Sequence, residues 1–145
     1  MKKRVSLEHS AMAVVFYNGR VLATHEDVYG KVVLSLPKGH IEAGETTTEA
    51  AIRECFEETN VIITKTDAVA ELETFEYSFK RPDGKETLKK ISPILFITKY
   101  KCNPCSMEKR IKSVDYMDVE QFLDECVYEN VKSVVRSALQ RLRNG

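Results

Sequence analysis

Residues 39–61 read GHIEAGETTTEAAIRECFEETNV, and the second half of that stretch crowds Glu54, Glu57 and Glu58 into five positions beside Arg53. Thr46 and Glu49 have the spacing of a capping box, which predicts a helix over about 47–59. At 100° per residue the three glutamates fall within about 100° of one another, leaving Ile52, Cys55 and Phe56 on the opposite side as the expected core face. With about 6 Å between charges and an effective dielectric of about 20, each pair costs on the order of 2–3 kcal/mol, less when solvated. Arg53 relieves part of that repulsion. Divalent cations relieve it better, because carboxylate oxygens are the ligands Mg2+ and Mn2+ prefer, completed by water and substrate phosphates. Taken alone, the pattern fits a solvated acidic face equally well.

The residues upstream shift that balance. Leu36-Pro37-Lys38-Gly39-His40 follows the apolar run KVVLSLP, and Gly44-Glu45 leads into the capping box. A glycine-bearing loop between strand and helix lets backbone approach an anion closely, and a helix N-terminus favours negative charge. On this reading metal-binding carboxylates adjoin a loop suited to a phosphate.

Gly39, Glu45, Arg53, Glu54, Glu57, Glu58 and Val61 stand at the spacing of G-x5-E-x7-R-E-U-x-E-E-x-G-U, with U apolar. This resembles the signature of the Nudix hydrolases. Six charged or glycine matches at about one in ten each amount to roughly one chance in a million per frame. Asn60 stands where the pattern has glycine, and asparagine tolerates the left-handed conformation better than other residues with a Cβ. Cys55 replaces a larger aliphatic and behaves as a small hydrophobe when buried.

The resemblance implies an α/β fold, an α/β/α sandwich with a mixed central sheet, as one domain over residues 1–145. It implies Glu57 and Glu58 as principal metal ligands, with Glu54 a ligand or the base that activates water. Gly39 would offer its carbonyl to the metal, and Glu45 and Arg53 would pair to hold loop against helix. The implied cofactor is Mg2+, with Mn2+ as substitute. The implied activity is hydrolysis of a diphosphate linkage in a nucleoside diphosphate derivative. Two features are similar to the branch that cleaves dinucleoside polyphosphates such as diadenosine tetraphosphate: LPKGHIEAGE, and EYSFKRPDGKETLKKISPILFI. By that likeness Lys38, Lys89 or Lys90 contacts phosphate, and Tyr77 stacks on a base or packs in its strand. Pro93 and Leu34 stand where that branch often has aromatics. Glu108 is the best placed additional acidic ligand, with Asp115 and Glu120 as alternatives, and His40 reads as an exposed loop residue. A nucleoside triphosphate pyrophosphatase and a non-catalytic nucleotide-binding module are the competing readings.

The rest of the chain supplies the frame. From Ser10 the run AMAVVFY meets Asn18-Gly19, a hairpin signal, and continues as RVLATHE. AELETFEYSF (70–79) alternates like a half-buried strand, Arg81-Pro-Asp-Gly84 marks a turn, and ISPILFITKY (91–100) reads as a buried strand. Asp118 is placed to cap a short helix through QFLDEC. A last helix over about 130–143 carries the stripe Val131, Val134, Val135, Ala138, Leu139 and Leu142 as its core face.

Lysine plus arginine equals aspartate plus glutamate at 22 each, so no global field favours long nucleic acid or an anionic membrane, and a small-molecule nucleotide is the expected partner. No apolar run approaches a bilayer span of about 20 residues, and MKKRVSLEHS lacks a signal-peptide core, so a cytoplasmic protein is expected. Cysteines 55, 102, 105 and 126 are expected as free thiols. Cys102 and Cys105, in CNPC, have zinc-knuckle or redox spacing but make half a tetrahedral site, and Asn-Pro at their centre marks a turn.

Overall fold

Asn18-Gly19 forms the tight hairpin expected of it, with φ of 50° and 77°, joining β1 (Val5–Tyr17) to β2 (Arg20–Val28). A second such turn at Tyr29-Gly30, φ 51° and 85°, leads into β3 (Lys31–Ser35). These elements belong to a computed structural model that describes residues 5–100 and 102–144. Beyond Pro37, whose carbonyl accepts the Ala13 N–H at 2.8 Å, the short β4 (Lys38–His40) pairs with β1 and sets Gly39 opposite Ala11. The chain then continues through α1 (Thr47–Thr59), a 3-10 turn at Lys65–Asp67, β5 (Ala68–Glu71), β6 (Phe75–Lys80) and β7 (Glu86–Ile97). It ends with β8 (Ile111–Met117), α2 (Val119–Glu125) and α3 (Glu129–Asn144).

The centre of the mixed sheet is β1 lying parallel to β7, in register from Val5 with Glu86 to Phe16 with Ile97. β2 and then β3 extend it on one side, and β5 and β6 both pair with β7 on the other. Alternation across β1 and β7 sorts the core into two layers. Met12, Val14, Phe16, Ile91 and Leu95 face Phe122 of α2 and Val131, Val134, Val135 and Ala138 of α3. Ala11, Ala13, Val15, Ile94 and Phe96 face Ala50, Ala51 and Cys55 of α1. With both faces covered, the central strands become continuous apolar runs, and the whole is the expected α/β/α sandwich. Among the described residues no helix is long and apolar enough to cross a membrane.

Helix α1 begins and ends where its sequence indicates. Glu49 N–H donates to Thr46 Oγ1 and Thr46 N–H to Glu49 Oε1, a closed capping box that contributes about 1 kcal/mol. Asn60 closes the helix in the left-handed region at φ 64°. Asp118 caps α2 through the N–H groups of Glu120 and Gln121.

Four expectations change. The stretch 70–79 is not one half-buried strand. It breaks after Glu71, where Leu72 N–H bonds the Pro93 carbonyl, and resumes as the largely exposed edge strand β6. β1 starts at Val5 rather than Ser10, and β7 starts at Glu86 rather than 91, because each supplies the other's hydrogen-bond partners. β8 was not anticipated: its buried residues are Ile111, Val114 and Met117, three apart instead of two, and its pairing with β2 shifts register between His25 and Glu26. Finally, the acidic side of α1 is not the side away from the protein. Phe56 is 45% exposed, whereas Glu58 is 1% exposed, because the adjoining β4 segment encloses the glutamate side of the helix.

Cys55 is buried and its thiol is pushed up to about 12 by desolvation, so it is inert packing. Cys102 packs at the edge of the α1 layer and Cys105 is exposed.

Candidate active site

Pairing of β4 with β1 brings Gly39 against α1, and the Glu54 carboxyl lies where a Cβ at position 39 would be. Only glycine permits this approach of backbone to carboxylate. Arg53 organises the rest. Its Nε and Nη2 fork onto Glu45 Oε2 and Oε1 at 2.8 and 2.9 Å, and Nη2 also bonds the His40 carbonyl at 2.9 Å. Its Nη1 reaches Glu54 Oε1 at 2.7 Å and Glu57 Oε2 at 3.1 Å. One guanidinium thus ties the 40–45 loop to two of the three helix glutamates. Hydrogen bonds from Arg53 hold the Glu45 carboxyl down at about 2, while burial raises that of Glu54.

Glu58 lies deeper, and desolvation pushes its carboxyl up to about 7. Its Oε1 accepts the Lys38 N–H at 3.2 Å, and its Oε2 accepts Arg110 Nη2 at 2.5 Å. Arg110 also donates from Nη1 to Glu26 Oε1 at 2.9 Å and lies 3.2 Å through Nε from Glu108 Oε2. Glu26 in turn accepts Thr24 Oγ1 at 2.7 Å. Glu108 arrives here because Met107 N–H bonds the Glu58 carbonyl and Cys105 N–H the Thr59 carbonyl, pinning its loop to the end of α1.

Beside this cluster opens a cavity of about 390 Å³, walled by Phe75, Tyr77, Tyr128, Met12 and Ile91, with Lys38, Glu26 and Asn130 at its polar side. Lys89 is on the same face of β7 as Ile91; burial, then the nearby Lys38 and Arg110, lower its ammonium pKa. Lys90, the next residue, is on the opposite face among Leu7, Glu8, His9, Glu76 and Leu88, away from Lys38 and Lys89. Asp115 pairs with His25 at 2.8 Å on β8, and Glu120 is in the first turn of α2; neither joins the cluster. The His40 ring is largely exposed, 3.4 Å from Glu8.

The structure therefore gathers Glu45, Glu54 and Glu57 on Arg53, with Gly39 against Glu54, and Glu58 and Glu108 on Arg110. Lys38 bonds Glu58 through its backbone N–H and lines the cavity that Tyr77 walls, with Lys89 nearby. Sequence reasoning missed Glu26, Arg110, Phe75 and Tyr128. A lone charge in an alternating strand or a loop carries no signal of what it faces. Only Tyr128, an aromatic just ahead of the last helix, offered a hint.

Carboxylates from α1 and the 106–111 turn, with the Gly39 backbone against Glu54, have the hard-oxygen chemistry suited to Mg2+ or Mn2+. Among the described residues no three acidic, histidine or cysteine side chains converge at ligand distance; the glutamate oxygens are turned onto Arg53 and Arg110.

Fold and site together define an α/β/α sandwich domain with an acidic helix beside an aromatic cavity. The NUDIX domain family matches residues 7–138, and the chain belongs to that family. Phosphatase NudJ of Escherichia coli strain K12 is 46% identical over 48 residues, 33% of this chain and 31% of that protein, so the match spans under a third of that relative's length. The fold is similar to the NUDIX domain of Shewanella oneidensis NrtR complexed with ADP ribose, with a TM-score of 0.74 and 17% identity over 97% of this chain and 90% of that one. It is also similar to a C. elegans Ap4A hydrolase in a binary complex, with a TM-score of 0.70 and 20% identity over 95% and 99% of the two chains.

Proposed function

We propose that this protein hydrolyses a diphosphate linkage in a nucleoside diphosphate derivative, and that the substrate is a dinucleoside polyphosphate such as diadenosine tetraphosphate. The observation that carries this reading is the aromatic cavity of Phe75, Tyr77 and Tyr128 opening beside the glutamate cluster, with Lys38 and Lys89 at the junction. A nucleobase stacks on such walls, each stacking contact contributing about 1–3 kcal/mol, while the lysines draw in its phosphates. Glu57, Glu58, Glu108 and the Gly39 carbonyl would hold Mg2+, or Mn2+ in its place. When bound, the metal neutralises phosphate charge and acidifies water. Glu54 is the proton acceptor: Arg53 occupies its Oε1, leaving Oε2 for the proton of the attacking water. As the water oxygen bonds to phosphorus, the bridging P–O bond breaks, and Lys38 and Lys89 balance the charge on the departing phosphate.

The test is a panel of diadenosine tetraphosphate, ADP-ribose and nucleoside triphosphates, including oxidised ones, in Mg2+ and in Mn2+, with products resolved by chromatography. Diadenosine tetraphosphate as the best substrate is the expected outcome. Preference for a triphosphate sinks the substrate assignment, and binding across the panel without turnover favours a nucleotide-binding module. Tyr128→Ala is expected to raise KM about tenfold with kcat nearly unchanged, as loss of a stacking wall does. Equal KM for wild type and variant removes Tyr128 from the base site.

Gly39→Ala probes the approach of backbone to carboxylate. The new methyl meets the end of a flexible glutamate, so the fold is expected to stay within about 1–2 kcal/mol of wild type. The displaced Glu54 is expected to lower turnover by about 10²-fold, the scale of a 1 Å misplacement. Full activity in a folded G39A protein contradicts the role given to Glu54.

A further inference from the structure

Arg110 is the cation on which two buried carboxylates and one partly exposed carboxylate converge. It meets Glu26 from β2, Glu58 from α1 and Glu108 from its own turn, and through Glu58 it uses an oxygen that the proposed metal needs. The other Glu58 oxygen already accepts the Lys38 N–H. Guanidinium and divalent cation therefore compete for Glu58 Oε2. The Arg110 backbone is anchored, its carbonyl accepting the Asp27 N–H at 2.8 Å, but its side chain is half-exposed and has room to turn. Lys38 and Lys89 lie close enough for their charges to bear on one another and on Arg110. A guanidinium released beside two lysines, at the mouth of an aromatic cavity, is well suited to grip a phosphate through two parallel N–H groups.

We propose that Arg110 serves as the internal counter-ion of Glu58, Glu26 and Glu108 in the metal-free protein and transfers to a substrate phosphate when the divalent cation binds. This rests on the metal and phosphate reading given above. The arginine keeps the acidic cluster folded without metal and links metal loading to substrate binding: each cation that enters frees one phosphate ligand.

The experiment measures Mn2+ affinity by electron paramagnetic resonance without nucleotide, then ADP affinity by calorimetry at saturating Mn2+. It compares the full chain with Arg110→Met and Arg110→Lys, each checked for folding by thermal melt. Removing a competing charge and a forked phosphate donor is expected to tighten Mn2+ about tenfold and weaken ADP about tenfold in R110M. R110K, which keeps a charge but not the fork, is expected to compete with Mn2+ as wild type does yet weaken ADP. An arginine with a merely structural role would not tighten Mn2+. Unchanged or weaker Mn2+ binding in R110M, or unchanged ADP binding, overturns the transfer while leaving the metal site standing. A wild-type protein that binds no Mn2+ overturns both.

Discussion

Glu57→Gln is expected to reduce Mg2+-dependent turnover by about 10³-fold while the protein melts within about 1 kcal/mol of wild type, the range for losing a partly exposed ion pair. The separation of the two effects follows from position. Glu57 is half-exposed and its close partner is Arg53 Nη1 at 3.1 Å, an N–H that a glutamine amide oxygen accepts equally well. What disappears is one unit of negative charge at the proposed cation site. Steady-state kinetics with a metal titration and a thermal melt on the same sample check the prediction. Unaltered turnover in the folded variant would remove Glu57 from the site. Glu58→Gln is a poorer probe, because its amide would point a donor at Arg110 or at the Lys38 N–H inside a buried pocket.

Arg53→Ala is expected to destabilise the protein by about 2–4 kcal/mol, the cost of removing one partner from partly buried charged hydrogen bonds. Turnover is expected to fall about 10²-fold with it, since Glu54 loses the bond that aims it. Arg53→Lys recovers a minority of both, because an ammonium cannot fork onto Glu45 while also reaching Glu54, Glu57 and the His40 carbonyl. The pH dependence carries a definite sign. The folded Glu45 carboxyl titrates at about 2 against 4.5 unperturbed, so the unfolded chain binds more protons between those values. Its stabilisation is therefore complete above 4.5 and drains away as pH falls towards 2. In R53A that part of the acid sensitivity is expected to shrink to what the Glu42 N–H bond at 2.9 Å sustains, which a series of melts between pH 5 and pH 2 would register. An unchanged acid limb would mean that Glu45 owes its low pKa to something other than Arg53.

The parts of the site that were legible are those whose partners are close in the chain. Thr46 and Glu49 are three residues apart, and Arg53 reaches Glu45, Glu54, Glu57 and the His40 carbonyl across no more than 13 positions. Helical geometry converts such spacings into contacts with little help from the rest of the fold. The Asn18-Gly19 hairpin, the left-handed Asn60 and the Asp118 cap were legible for the same reason, since each is a local backbone conformation with its own side-chain chemistry.

Sequence by itself determined the acidic helix, its caps, the glycine loop before it and the family to which that spacing belongs. Tertiary structure alone decided what surrounds the glutamates. Arg110 meets Glu58 from 52 positions away and Glu26 from 84. Lys89 and Lys90 are neighbours that a strand sends to opposite faces, and only the packing of α3 over one face says which of them lies beside the cavity. Phe56 and Glu58 exchanged places with expectation because β4, three residues long and silent in the hydrophobic pattern, closes over one side of α1. A helix wheel shows which residues share a side; burial depends on what the rest of the chain brings against that side.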